Sequence, residues 1–225
     1  MEIVGYQVLD ERVVGEGGFL TIRRLRLRLL RQDGSLSDEG LYDFVERPIG
    51  LDAVVLALWH RRSEKEGGAI EVLLREGLRV PLHFGRPDRA RPGAAPERFA
   101  ELVAGIIEKG EDAESSIQRR AAAEAFEEAG LTVAPSSVTR LGAATFPTPG
   151  MCAERFVLVA CEVADPKSAT PPPGDGSPFE EGARLLWREL DDAIAACVRG
   201  EIADMKTEVT LRRLKDALED QRASR

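Results

Sequence analysis

The chain has 225 residues, 39 Asp+Glu against 31 Lys+Arg, a formal net charge of −8 and 43% hydrophobic residues. That apolar fraction can bury a sizeable core, which excludes disorder of the whole chain. The acidic excess argues against non-specific nucleic-acid binding, which needs clustered cations to displace phosphate counterions. One small phosphorylated ligand, held by a few arginines and a metal, remains compatible with it. No run approaches the ~20 apolar residues of a membrane span. The segment MEIVGYQVLDERVVGEGG has early acids and no long apolar core, so it does not read as a signal peptide. Three sparse cysteines, Cys152, Cys161 and Cys197, without metal-ligand spacing read as reduced thiols of a cytoplasmic protein.

In chain order, Tyr6–Val14 is the first predicted strand. Phe19–Arg31 (FLTIRRLRLRLLR) alternates apolar and cationic residues at period two, the mark of a half-exposed strand. Its arginines read as a solvated sheet face or, alternatively, a dimer face or substrate rim. Gln32–Ser35 is a turn and Leu41–Glu46 a third strand. Ile49–Trp59 is strongly apolar, and the charged turn Arg61–Gly68 separates it from Ala69–Arg75, which suggests a central hairpin. Pro81–Pro96 is a loop by composition, and Phe99–Ile107 is short and apolar. Residues 113–129 form the clearest helix, Ala-rich without internal Gly or Pro, with Gly130 where a C′ glycine belongs. Val138–Phe146, Arg155–Val163 and Ala183–Glu189 read as strands, Lys167–Pro178 as a loop, and Leu190–Arg199 and Met205–Ser224 as helices. This order predicts an α+β or mixed α/β/α sandwich over residues 48–225, preceded by a small β-rich unit at 1–47.

Residues 108–128 hold seven acids against three cations. Within them Glu124, Glu127 and Glu128 stand at i, i+3 and i+4, on one face of the predicted helix. Three carboxylates there repel one another unless water or a counter-charge intervenes. The face is therefore either a solvated acidic surface or a site for a hard divalent cation, Mg²⁺ or Mn²⁺, held by carboxylates and substrate phosphates.

The segment Ala104–Leu131 resembles the Nudix box: Gly, five residues, Glu, seven residues, then Arg-Glu-aliphatic-x-Glu-Glu-x-Gly-aliphatic. Gly105 and Glu111 match its front. Glu124, Glu127, Glu128, Gly130 and Leu131 match its rear. Arg119 stands where the Arg belongs, but the rear begins four residues late, with Ala123 before Glu124. A four-residue insertion, Arg120–Ala123, adds about one helical turn and shifts phase by only about 40°. Arg119 or Arg120 is expected to reach the carboxylates, and Arg120 is i, i+4 to Glu124.

Further stretches are similar to the ADP-ribose pyrophosphatase-like branch. Leu73–Arg79 resembles its Glu-Gln-aromatic-Arg strand, with Gly77 in place of Gln and Arg79 in place of the Arg. Glu101-Leu-Val-Ala-Gly105 resembles its Glu-Leu-Pro-Ala-Gly run, and Phe146–Gly150 followed by Glu154 its Pro-x-Pro-Gly…Glu stretch. The resemblance implies a Nudix fold and hydrolysis of a nucleoside diphosphate linked to another moiety, ADP-ribose or a nucleotide sugar, with Mg²⁺ or Mn²⁺. It further implies metal held by Glu124, Glu127, Glu128 and the Ala104 carbonyl. Arg79, Glu101 and Glu154 would contact substrate, and Glu180 or Glu181 on a loop would serve as base. Gly105, Glu111, Arg119 and Gly130 would support the box, and the chain would form a homodimer. The insertion and Ala123 motivate one alternative, a Nudix-fold protein that binds nucleotide and hydrolyses it poorly.

Overall fold

The structure, a computed structural model, describes residues 3–14, 18–63, 67–85, 98–170 and 182–223. Three N-terminal strands, β1 (Ile3–Val14), β2 (Thr21–Arg31) and β3 (Gly40–Glu46), form an antiparallel sheet in the order β1-β2-β3. Three arginines of β2 meet acids on or just before β3. Arg24 grips Asp43 through two nitrogens at 2.8 and 2.6 Å, Arg23 reaches Glu46 at 3.0 Å, and Arg26 reaches Glu39 at 3.2 Å. The bond from Arg24 holds the Asp43 carboxyl below the usual carboxylate range. By strand alternation the pairs of Arg24 and Arg26 lie on one face of the sheet and that of Arg23 on the other.

The second sheet is built on β4 (Ala53–Arg61). Ala53–Trp59 is buried throughout, as a strand covered on both faces must be. β4 pairs in parallel with β9 (Phe156–Glu162) and antiparallel with β5 (Ile70–Leu78) and β7 (Val103–Ile106). The order is β10-β5-β4-β9-β8, with β10 at Arg184–Glu189 and β8 at Thr139–Arg140, while β6 (Arg98–Glu101) pairs with β5. Alternation along β4 splits the core. Val55, Ala57 and Trp59 pack with Val72, Leu74 and Leu158 against α3 (Leu190–Arg199) and α4 (Met205–Ala223). Val54, Leu56 and Leu58 pack with Leu73, Val157 and Val159 against α2 (Glu114–Ala129). The result is the predicted α/β/α sandwich with a β-rich N-terminal unit.

Three expectations shift. The stretch 138–146 holds only the two-residue β8, because Pro135–Ser137 forms a 3₁₀ turn and the chain leaves β9 after Leu141, rejoining it only at a single bridge from Thr145 to Phe156. Val80–Phe84, at the start of the expected loop, is a short helix, α1, with Pro81 in its first turn, where a missing N–H costs nothing. Phe99–Ile107 is two strands, β6 and β7, which pair with different neighbours. Gly130 ends α2 in the left-handed region at φ +65°, its N–H capping Ala125 and Phe126, and a Cβ there would lie 2.0 Å from Thr170 Oγ1.

Leu158 is fully buried against the α3/α4 layer. Leu158→Ala is expected to lose about 2–5 kcal/mol, read as a lower urea midpoint followed by Trp59 and Trp187 fluorescence.

Candidate functional site

The site grows from the contact of α2 with β7. Ile117, Ala121, Ala125 and Ala129 are the buried stripe of α2, at i, i+4, i+8 and i+12. Three of the four are alanines, so the helix lies close on the sheet. That proximity brings Glu124 and Glu128, one position before Ala125 and Ala129, over β7. A Cβ added to Gly105 would fall 1.3 Å from Glu124 Oε1. One turn on, Glu128 Oε2 accepts the Ala104 N–H at 3.0 Å. Both carboxylates are buried, Glu124 at 4% and Glu128 at 6% exposure.

Carboxylates buried this far need counter-charge. Two arginines supply it. Arg120 Nη2 bonds Glu124 Oε1 and reaches Glu127 Oε2 at 3.0 Å. Burial works against the Arg120 charge, but Glu124 and then Glu127 outweigh it and raise its pKa above the ordinary arginine value. Arg75, on β5 and 5% exposed, places Nε 3.5 Å from Glu128 Oε1. Its Nε and Nη2 are buried without a hydrogen-bond partner among the described residues. Sequence reading missed Arg75. The signal was there: an arginine inside the strand EVLLREGL, two residues before a glycine that leaves it room, since a Cβ at Gly77 would lie 3.3 Å from Arg75 Nη1.

The four inserted residues lie inside α2, which runs unbroken from Glu114 to Ala129. The insertion is therefore absorbed as helix, with Glu124 and Glu128 still over Ala104 and Gly105. Of the two arginines, Arg120 is the one that meets the carboxylates. Arg119 is exposed and donates to Ser116 Oγ at 2.8 Å, and Glu111 lies in the turn before the helix, its N–H bonded to the Glu108 carbonyl.

A second cluster lies at the ends of β5 and β6. Glu101, 1% exposed, accepts from Arg79 Nε at 2.6 Å through one oxygen and from Lys206 Nζ at 2.6 Å through the other. Lys206 also binds Asp204 at 2.9 Å, and Asp204 caps α4 by accepting from the Thr207 N–H at 3.1 Å. Thr207 Oγ1 in turn accepts the Leu102 N–H at 2.9 Å. Glu101 is thus fully engaged, while the Arg79 side chain remains 45% exposed. Lys206 was not singled out in the sequence because nothing in KTEVTLRR marks its approach to β6. Glu154 stands apart from both clusters, paired with Arg47 at 2.9 Å, and Arg47 also donates to the Gly50 and Leu51 carbonyls. Glu180 and Glu181 lie outside the described residues.

The donor set of Glu124, Glu127, Glu128 and the Ala104 carbonyl is all hard oxygen, which suits Mg²⁺ or Mn²⁺ rather than a soft metal. Among the described residues, no three His, Cys, Asp or Glu side chains are gathered as a preformed ligand set. Arg120 stands between two of the carboxylates. The cysteines offer no competing chemistry as nucleophiles at the two buried positions. All three are free, and burial pushes the Cys161 thiol up and the Cys197 thiol up to about 11. No helix among the described residues is long and apolar enough to cross a membrane.

Removing the Lys206 charge leaves one oxygen of a buried carboxylate without its partner. Lys206→Met is expected to cost about 2 kcal/mol, measured by urea unfolding, and to leave the isosteric Thr207→Val change additive only in part.

No protein-family model matches the chain, and no curated protein matches it in sequence. Solved structures do match in fold. A protein described as an ADP compounds hydrolase superposes with a TM-score of 0.68 at 14% identity, covering 98% of each chain. That extent takes in the N-terminal strands as well as the sandwich. A mutT/nudix family protein from Listeria innocua matches with a TM-score of 0.50 at 14% identity, covering 80% of this chain and all of that one. At this identity the likeness is one of fold, and the fold is the Nudix fold.

Proposed function

We propose that this Nudix-fold chain is a Mg²⁺- or Mn²⁺-dependent pyrophosphohydrolase of nucleoside diphosphates linked to another moiety. ADP-ribose and nucleotide sugars are the first substrates to test. The observation that carries this reading is the contact of Glu124 and Glu128 with Gly105 and Ala104, despite the inserted turn. It keeps the acidic group over the strand that the box resemblance requires. The fold shared with an ADP compounds hydrolase supports it.

Glu124, Glu127 and Glu128, with the Ala104 carbonyl, would hold the cation. When bound, a divalent cation neutralises the diphosphate and acidifies a coordinated water. The chain's own residues do the rest. Arg79, half-exposed and oriented by Glu101, offers charge-assisted hydrogen bonds to the diphosphate. Glu101 acts through Arg79, and Lys206 fixes Glu101. Glu180 and Glu181 are the candidates to accept the water's proton, alongside the box carboxylates. Glu154 is assigned a substrate contact only through the resemblance. Products are a nucleoside monophosphate and a phosphorylated second moiety.

A second reading, nucleotide binding with little turnover, draws on one observation: Ala123 stands where the box arginine belongs, and Arg120 reaches the carboxylates from a turn earlier. The residue 1–47 unit is proposed as a dimerisation element of a cytoplasmic homodimer, with Leu41 and Tyr42 of β3 exposed. Light scattering on the purified chain is expected to give twice the monomer mass.

A Mg²⁺-dependent screen of ADP-ribose, nucleotide sugars, dinucleotides and nucleoside triphosphates tests the reading. Glu127→Gln and Glu128→Gln are each expected to lower kcat/KM about 100-fold or more. Arg79→Ala is expected to act mainly on KM, by about ten-fold. Equal turnover by wild type and Glu128→Gln would remove the metal assignment. Calorimetric binding without product over hours would establish the second reading.

A further inference from the structure

Glu124, Glu127 and Glu128 each face a guanidinium of this chain, and the two guanidiniums differ in kind. Arg75 is locked in place. It is buried on β5, within 3.5 Å of Glu128, and shielded by the close passage of Gly77. Arg120 is on the open side of α2, with its side chain 29% exposed, and it bridges Glu124 and Glu127. It comes from the inserted turn, so it reaches down the helix across the space between the two carboxylates. A guanidinium that bridges two carboxylates and a divalent cation ligated by the same oxygens are alternatives. They compete for the same lone pairs, and their charges repel.

We propose that Arg120 is an exchangeable resident counter-cation of this acidic face, so that a divalent cation binds there only in exchange for Arg120, which passes to the diphosphate of the incoming substrate. Arg75 is the fixed counterpart, a permanent positive charge beside Glu128 that weakens cation binding without leaving. The exchange conserves charge pairing. The carboxylates trade a guanidinium for a metal, and the guanidinium trades two carboxylates for phosphate oxygens, which its planar fork matches bidentately. Cation and diphosphate should therefore bind cooperatively, each poorly alone. This rests on reading the face as the cation site of a diphosphate hydrolase.

Binding of Mn²⁺ to the full chain, followed by the loss of the free-ion electron paramagnetic resonance signal, tests the exchange without relying on turnover. The probes are Mn²⁺ alone and Mn²⁺ with α,β-methylene-ADP, whose bridging carbon resists hydrolysis. In the wild type the nucleotide is expected to tighten Mn²⁺ binding about ten-fold or more. In Arg120→Gln, Mn²⁺ alone is expected to bind about ten-fold tighter than in the wild type, with the nucleotide adding little. Arg120→Lys restores weak binding of the lone ion, because the charge returns. Arg119→Gln, one residue away but bonded to Ser116, moves Mn²⁺ affinity less than about two-fold, as distant screened surface charge does. Arg75→Met is expected to tighten Mn²⁺ binding while keeping the nucleotide effect.

Equal or weaker Mn²⁺ binding in a folded Arg120→Gln protein overturns the proposal, as does the absence of Mn²⁺ binding in every variant. Should Arg120→Gln melt early, Arg120→Met decides in its place, since it keeps the apolar stem over α2. If affinities shift as expected but no diphosphate substrate is turned over, the exchange stands and the hydrolase reading falls. If substrates are hydrolysed and the affinities do not shift, the hydrolase reading stands and the exchange falls.

Discussion

The structure turns on how closely α2 can lie against β7. Here alanines at 121, 125 and 129 and the missing side chain at Gly105 let the helix lie close on the strand. The Glu124 carboxylate takes the volume that a Cβ at position 105 would fill, and Glu128 reaches a main-chain N–H of the same strand. Neither carboxylate would tolerate this depth alone. Desolvating a charge costs more than a single neutral hydrogen bond returns, so burial here demands guanidiniums, and both Arg75 and Arg120 follow from that demand. Packing thus comes first and electrostatics answers it.

The same logic organises the second cluster. Glu101 is the most buried acid among the described residues, and two cations from different elements converge on it. One is Arg79, just after β5. The other is Lys206, at the start of α4 on the opposite layer. The α4 cap, Asp204, and Thr207 complete the link to the β6–β7 junction. A residue that would bind phosphate is therefore oriented by the helix layer on the far side of the sheet.

Much of this was legible in the sequence, for physical reasons that differ by residue. The helix over Glu114–Ala129 and its Gly130 stop are local properties, set by alanine content, spacing and a glycine that accepts positive φ. The position of the three carboxylates on one helix face follows from 3.6 residues per turn, whatever the partner. The strands of the central hairpin follow from buried apolar runs. What escaped was non-local. Arg75 looks like one more charged residue in a strand until Glu128 is packed against it, and Lys206 has no sequence neighbour that predicts Glu101. The run 138–146 alternates well enough for a strand, but the 3₁₀ turn at Pro135–Ser137 and the departure after Leu141 leave a two-residue strand and one separate bridge from Thr145 to Phe156.

The inserted turn shows why reading a motif by spacing alone is incomplete. Counted along the chain, four extra residues break the box. Counted around a helix they nearly close a turn, so Glu124 and Glu128 keep their place over β7 while the arginine partner moves from one position before Glu124 to four before it. At four residues an arginine lies directly over its glutamate, one turn up, and its length lets it reach Glu127 as well. An arginine immediately preceding Glu124 would point about 100° away around the helix and could not span both carboxylates from above. The insertion therefore converts a lateral support into a bridge across two of the three carboxylates, and it is this geometry that sets Arg120 in competition with any cation those oxygens would hold.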